Sequence, residues 1–309
     1  MSRSPESPRK GIFKNPAALM AIIVGIVVAL SVAHARAETV RFPDAQNARF
    51  SVTVTGSGPD VILIPGLASS AAVWDGTVAK LKGHYRLHVI NISGFAGEPA
   101  AANAQGEILN PEVEAIHAYI AANHLKSPIV VGHSLGGLVG LMLAKAHPED
   151  AGKIVVADAL PFIGVLFGPT ATVDMIKPQA AAMRDGMQTT PADAFKAQQT
   201  GMAQRFATSD ADRAKIVDWS LTSDRRVIGE AFYEDMTTDL RADLPGIKTP
   251  ITVIYPVAPG MSAAMVDPVY KGAYAGKPDV QFTRIDNSLH FEMLDQPEAF
   301  NTALEAALK

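Results

Sequence analysis

Residues 128–137 read Pro128-Ile129-Val130-Val131-Gly132-His133-Ser134-Leu135-Gly136-Gly137, an apolar run that breaks at once into a glycine-flanked serine. The run Pro128–Val131 has the pattern of a strand buried on both faces. The apolar, glycine-containing stretch that continues to about Ala146 predicts a helix. A strand turning abruptly into a helix crowds its own backbone, and glycines two before and two after the serine tolerate that crowding. Such a turn lifts a hydroxyl clear of its neighbours. A serine needs this, because it is a poor nucleophile until a base can reach it. A glycine-rich turn with a capping serine would account for the five residues Gly132–Gly136 alone. The strand before them and the helix after them decide for the nucleophile.

Working outward, the same alternation recurs. Val61–Ile64 is a second buried strand, stopped by Pro65-Gly66, and strands are also expected at Thr39–Phe42, Phe50–Thr55, Leu87–Ile92 and Lys153–Ala157. Helices fit Ala71–Lys82 and a stretch from Asn110 to Asn123, with Asn110 as cap and Pro111 at the first helical position. Strands alternating with helices at this spacing predict a parallel sheet covered on both faces. After Pro161 the rhythm breaks. Residues 162–244 show helical patches and no strand, which reads as a helical cap over the strand tips, where open α/β sheets bind ligands. Alternation resumes with Ile251–Tyr255, a helix near Asp267–Tyr274, Val280–Ile285 and a last helix from Glu298 to Leu308.

A second landmark lies near the C-terminus, Ser288-Leu289-His290-Phe291, followed by Asp295-Gln296-Pro297-Glu298-Ala299-Phe300. With these stretches in this order, the mature chain resembles the α/β-hydrolase family, in the capped serine-hydrolase branch that includes esterases and lipases. The resemblance implies a mostly parallel central sheet with a helical cap inserted after the strand that follows the nucleophile. It implies Ser134 as nucleophile and His290 as the base that takes and returns its proton. Leu67 N–H, in the loop Pro65-Gly66-Leu67, and Leu135 N–H become the donors for the oxyanion. Two departures stand out: Pro-Gly replaces the usual His-Gly in that loop, and Leu289 stands where glycine often precedes the histidine. The acid is not where the family commonly has it, since Tyr255-Pro256-Val257-Ala258-Pro259-Gly260 holds no carboxylate. Asp158, ending its strand, is the first candidate. Asp267 is the second, although Asp267-Pro268 also makes a good helix start. His133 is read as pocket packing.

Composition narrows the alternatives. The chain has 309 residues, no cysteine and a formal net charge of −4. That excludes disulfides, thiolate catalysis and Cys-ligated metal, and gives no electrostatic reason to expect nucleic acid. No H-E-x-x-H or other histidine cluster marks a metal site, so neither metal nor cofactor is expected. Residues 1–37 read as a signal peptide: Arg3, Arg9, Lys10 and Lys14 precede an uncharged run from Ala17 to Ala33, and Ala35-Arg36-Ala37 supplies the cleavage signature. The mature domain, 38–309, is then periplasmic or secreted and needs no membrane. The alternative is an uncleaved anchor with the domain still outside the cytoplasm. The expected partner is a small-molecule ester-like substrate. Amide or peptide cleavage, carbon–carbon bond hydrolysis and a catalytically silent binding module are the competing functions.

Overall fold

Strand alternation divides the interior in two. In Val61-Ile62-Leu63-Ile64, Val61 and Leu63 join one core cluster and Ile62 and Ile64 the other. The same split separates Val155 and Ala157 from Ile154 and Val156, as side chains of a strand point alternately to its two faces. A sheet apolar on both faces must be covered on both. The computed structural model describes residues 38–40 and 49–309, so the targeting segment expected at 1–37 lies outside the described residues.

The eight strands are β1 (Glu38–Val40), β2 (Phe50–Gly56), β3 (Asp60–Ile64), β4 (Arg86–Ile92), β5 (Ile129–His133), β6 (Lys153–Ala157), β7 (Ile251–Val257) and β8 (Gln281–Asp286). They form one sheet in the order β1-β2-β4-β3-β5-β6-β7-β8. β1 and β2 run antiparallel, as do β2 and β4, and every other neighbouring pair is parallel. One core cluster collects Val113 and Ile116 of α2 (Leu109–Ala122) and Leu138 and Val139 of α3 (Leu135–Ala146). The other collects Leu81 of α1 (Asp75–Leu81) and Phe300 and Leu304 of α10 (Pro297–Ala307). Between β6 and β7 stand four helices, α4 (Val173–Thr189), α5 (Ala192–Ala203), α6 (Asp210–Thr222) and α7 (Arg225–Thr237). The remaining two, α8 (Ala263–Ala273) and α9 (Glu292–Asp295), flank β8.

Two helix starts differ from expectation. Helix α2 begins at Leu109, not after an Asn110 cap, because Glu234 of α7 supplies the acceptors: Ile108 N–H and Leu109 N–H donate to its two carboxylate oxygens at 2.7 Å each. One carboxylate thereby satisfies two of the orphan donors every helix start carries. Helix α8 begins at Ala263, where the Ser262 hydroxyl accepts from Ala264 N–H at 3.3 Å. Asp267 and Pro268 therefore lie inside the helix, and Asp267 is not its cap.

Candidate active site

Ser134 joins β5 to α3 with φ 52° and ψ −123°, a region that ordinary L-residues avoid and that stores on the order of 1–3 kcal/mol. The flanking glycines make it possible. A Cβ on Gly132 would stand 2.0 Å from the Gly136 carbonyl oxygen, and one on Gly136 would stand 2.5 Å from that of Ile64. A side chain at either position would push α3 away from the sheet. Leu135 is the first residue of α3, where helical geometry leaves its N–H without an intrahelical acceptor. Leu67 follows β3, whose Ile64 pairs with Gly132 of β5, and both Leu67 and Ser134 line the same cavity.

His290 and Asp158 meet on that cavity wall. Asp158 follows β6 in a left-handed conformation, φ 45°, and its Oδ2 lies 2.6 Å from His290 Nδ1. Its other oxygen accepts a hydrogen bond from the Tyr270 hydroxyl, reaching in from α8. Burial first, then the charge of Asp158, push that phenol well above its ordinary range, so Tyr270 is always a donor. The His290 loop is tied from several sides. Leu289 N–H donates to Asp295 at 2.8 Å, Asp295 also accepts from Thr208, and Phe291 N–H donates to the Phe206 carbonyl at 3.0 Å.

His133 is fully buried and its Nε2–H donates to the His290 carbonyl at 2.8 Å. Burial, reinforced by neighbouring His290, pushes its pKa down to about 3. It is thus a neutral prop under the His290 backbone. Glu292, two residues after His290, is also fully buried with both carboxyl oxygens unpartnered. Burial, and then the nearby Asp158 charge, push its pKa well above the usual carboxylate range.

The cavity has a volume of about 450 Å³. Its floor is the Ser134 turn, and the helices between β6 and β7 supply much of its wall. The methionines and phenylalanines of that segment divide three ways. Met187, Met202, Phe206 and Phe232 line the cavity, Phe162, Phe195 and Met236 are buried packing, and Phe167, Met175 and Met183 are exposed. Besides Asp158 and Arg205, the wall carries Asp235 of α7, whose carboxyl is pushed up to about 7 by burial against the opposing pull of His290.

Asp267 lies apart from His290. It accepts from the Tyr255 hydroxyl at 2.8 Å, with Arg284 and Lys271 at 3.7 and 3.8 Å. Tyr255 in turn stacks on Tyr270 at 4.4 Å, so Asp267 steadies the tyrosine that serves Asp158. Elsewhere, the fold gathers what sequence reading treats as unrelated: His117, His147 and Glu149 place ligand atoms within 4.8 Å of one another. They lie outside the cavity, and both rings are already paired, His117 with Asp150 and His147 with Glu114. Tyr270, Glu292 and Asp235 were not marked by any sequence motif. For Asp235 a signal existed, since Ile228, Phe232 and Asp235 follow the i, i+4, i+7 spacing of one helix face.

A parallel sheet bearing a strained serine turn, with a histidine–aspartate pair on the wall of one cavity, defines a class, and the comparisons agree with it. Residues 61–303 match the model of the alpha/beta hydrolase family, and the chain belongs to that family. Among curated relatives, a pimeloyl-[acyl-carrier protein] methyl ester esterase of Vibrio atlanticus (strain LGP32) is 30% identical over 209 residues, 65% of this chain and 77% of that protein. The enzyme of the same name from Vibrio vulnificus (strain YJ016) is 27% identical over 258 residues, covering 79% and 92%. The fold is shared with the enol-lactonase from Burkholderia xenovorans LB400, at TM-score 0.68 and 18% identity over 84% of this chain and 96% of that one. It is shared too with a thermophilic esterase from Thermogutta terrifontis, at TM-score 0.67 and 16% identity over 87% and 96%.

Proposed function

We propose that the chain hydrolyses small-molecule carboxylic esters through an acyl-enzyme on Ser134, with His290 as general base and acid and Asp158 as its carboxylate partner. The observation that carries this reading is the 2.6 Å contact between His290 Nδ1 and Asp158 Oδ2 on the wall that also holds Ser134. With Nδ1–H committed to Asp158, Nε2 is the nitrogen left to take a proton. The Ser134 hydroxyl attacks the ester carbonyl as Nε2 accepts its proton. Negative charge on the tetrahedral oxygen is met by the Leu67 and Leu135 N–H groups. His290 then gives the proton to the leaving alcohol, and water repeats the sequence to free the acid.

Asp158 and Tyr270 hold the imidazole in one tautomer and stabilise the imidazolium that forms. The carboxylate missing after β7 was the feature favouring a silent binding module, and Asp158 answers it from β6. The names of the two Vibrio relatives support the ester bond over amide or carbon–carbon cleavage. The mature domain acts outside the cytoplasm after cleavage behind Ala37, on the strength of the basic, apolar and Ala-Arg-Ala sequence that precedes Glu38. A series of p-nitrophenyl esters of graded acyl length tests the chemistry. Turnover that vanishes in Ser134→Ala supports the proposal, and no turnover at any length contradicts it.

A further inference from the structure

Asp235 sits on the third position of the α7 face that looks into the cavity, after Ile228 and Phe232. Among the described residues it makes no hydrogen bond and no ion pair, whereas Asp158, Glu234 and Asp239 are all engaged. Asp158 serves His290 and Tyr270, Glu234 caps α2, and Asp239 is paired with Arg241. The catalytic steps described above do not use it. A carboxyl without a partner on a largely apolar wall is an unfavourable choice for packing, where a leucine would fill the same space. It becomes favourable when a ligand brings the missing donor.

We propose that Asp235 is a substrate-binding residue that selects esters carrying a protonated amine at a distance from the scissile carbonyl. This inference rests on the ester-hydrolase reading of the same cavity. Ser134, His290 and Asp235 of α7 line one cavity, and Asp235 offers two acceptor oxygens on a carboxyl that an ammonium group would hold ionised. Among the described residues no lysine lines the cavity, and Arg205, which does, forms no ion pair with Asp235. An ammonium group on the substrate would supply charge and donors together, and charge-assisted hydrogen bonds are the strong ones.

The test uses matched esters that differ only in ending with a methyl or an ammonium group, on the acyl side or the alcohol side, over graded chain lengths. The wild-type protein should favour the amino ester at one length by roughly tenfold or more in kcat/KM. Asp235→Asn should bring that ratio close to one, and Asp235→Leu should reverse it toward the methyl ester, whatever either variant does to absolute rates. Because each ratio is internal to one variant, a general loss of folding cannot imitate the result. A wild-type ratio near one at every length, or a preference that survives Asp235→Asn, overturns the proposal while leaving ester hydrolysis intact. Failure to hydrolyse either ester, with no reaction of Ser134 toward a fluorophosphonate, would instead remove the underlying reading.

Discussion

Asp158 is the residue on which the proposed catalytic assignment turns: of the two candidates it contacts His290, while Asp267 pairs with the Tyr255 hydroxyl. Removing the carboxylate beside a catalytic imidazole lets the wrong tautomer form, which in the serine-protease precedent lowers kcat about 10⁴-fold. Asp158→Asn is expected to show a loss of that order, with the fold intact by circular dichroism. Asp267→Asn is expected to be mild. An asparagine oxygen can still accept from the Tyr255 hydroxyl, which Asp267 holds at 2.8 Å. Tyr270→Phe removes one charge-assisted hydrogen bond from Asp158 and should lower kcat by about ten- to a hundredfold with little change in KM. An unchanged kcat would mean that His290 alone fixes Asp158. Ser134 and His290 can be singled out in the sequence because the proposed chemistry needs each in a rigid local sequence. Tyr270 cannot be, because a tyrosine on an amphipathic helix is indistinguishable from packing until the chain between β7 and β8 is folded over Asp158.

At the scale of elements, the sheet was readable because parallel strands buried on both faces leave continuous apolar runs such as Val61–Ile64. Helix boundaries were less so. The start of α2 is fixed by Glu234, more than a hundred residues away, and no local pattern announces that partner. Glu112, in the first turn of α2, shows the same limit. It reads as a charge favouring a helix N-terminus, yet it is buried with both oxygens unpartnered, and burial pushes its pKa up to about 8. Below pH 4.5 the carboxyl is protonated whether folded or unfolded, and contributes nothing. As pH rises above that, the unfolded chain releases the proton and the native one keeps it, so stability falls until about pH 8. At pH 7 the loss is on the order of 3 kcal/mol. Glu112→Gln should therefore raise the urea midpoint at pH 7 and leave it unchanged at pH 4. A midpoint that fails to rise at pH 7 would show that the buried carboxyl has found compensation.

For the whole molecule, the order of landmarks along the chain and the mostly parallel sheet both fit one family, which is why a sequence with no cysteine and no metal motif could be assigned to a class. The proposed amine selectivity is not legible in the sequence, since only the tertiary fold brings Asp235 and Ser134 to one cavity. Chelation should leave ester hydrolysis unchanged, because His117, His147 and Glu149 lie outside that cavity; activity lost in EDTA and restored by one divalent metal would overturn the serine mechanism. Export predicts that protein isolated from its native envelope begins at Glu38, and intact mass decides between that and a chain retaining its first residues. The central claim, an activated serine at the β5–α3 turn, is tested most directly by a fluorophosphonate probe read by peptide mass spectrometry. The account predicts one covalent adduct per chain on Ser134, formed slowly in Asp158→Asn and absent in Ser134→Ala. Folded wild-type protein that stays unmodified, or that carries the adduct on another residue, would contradict it.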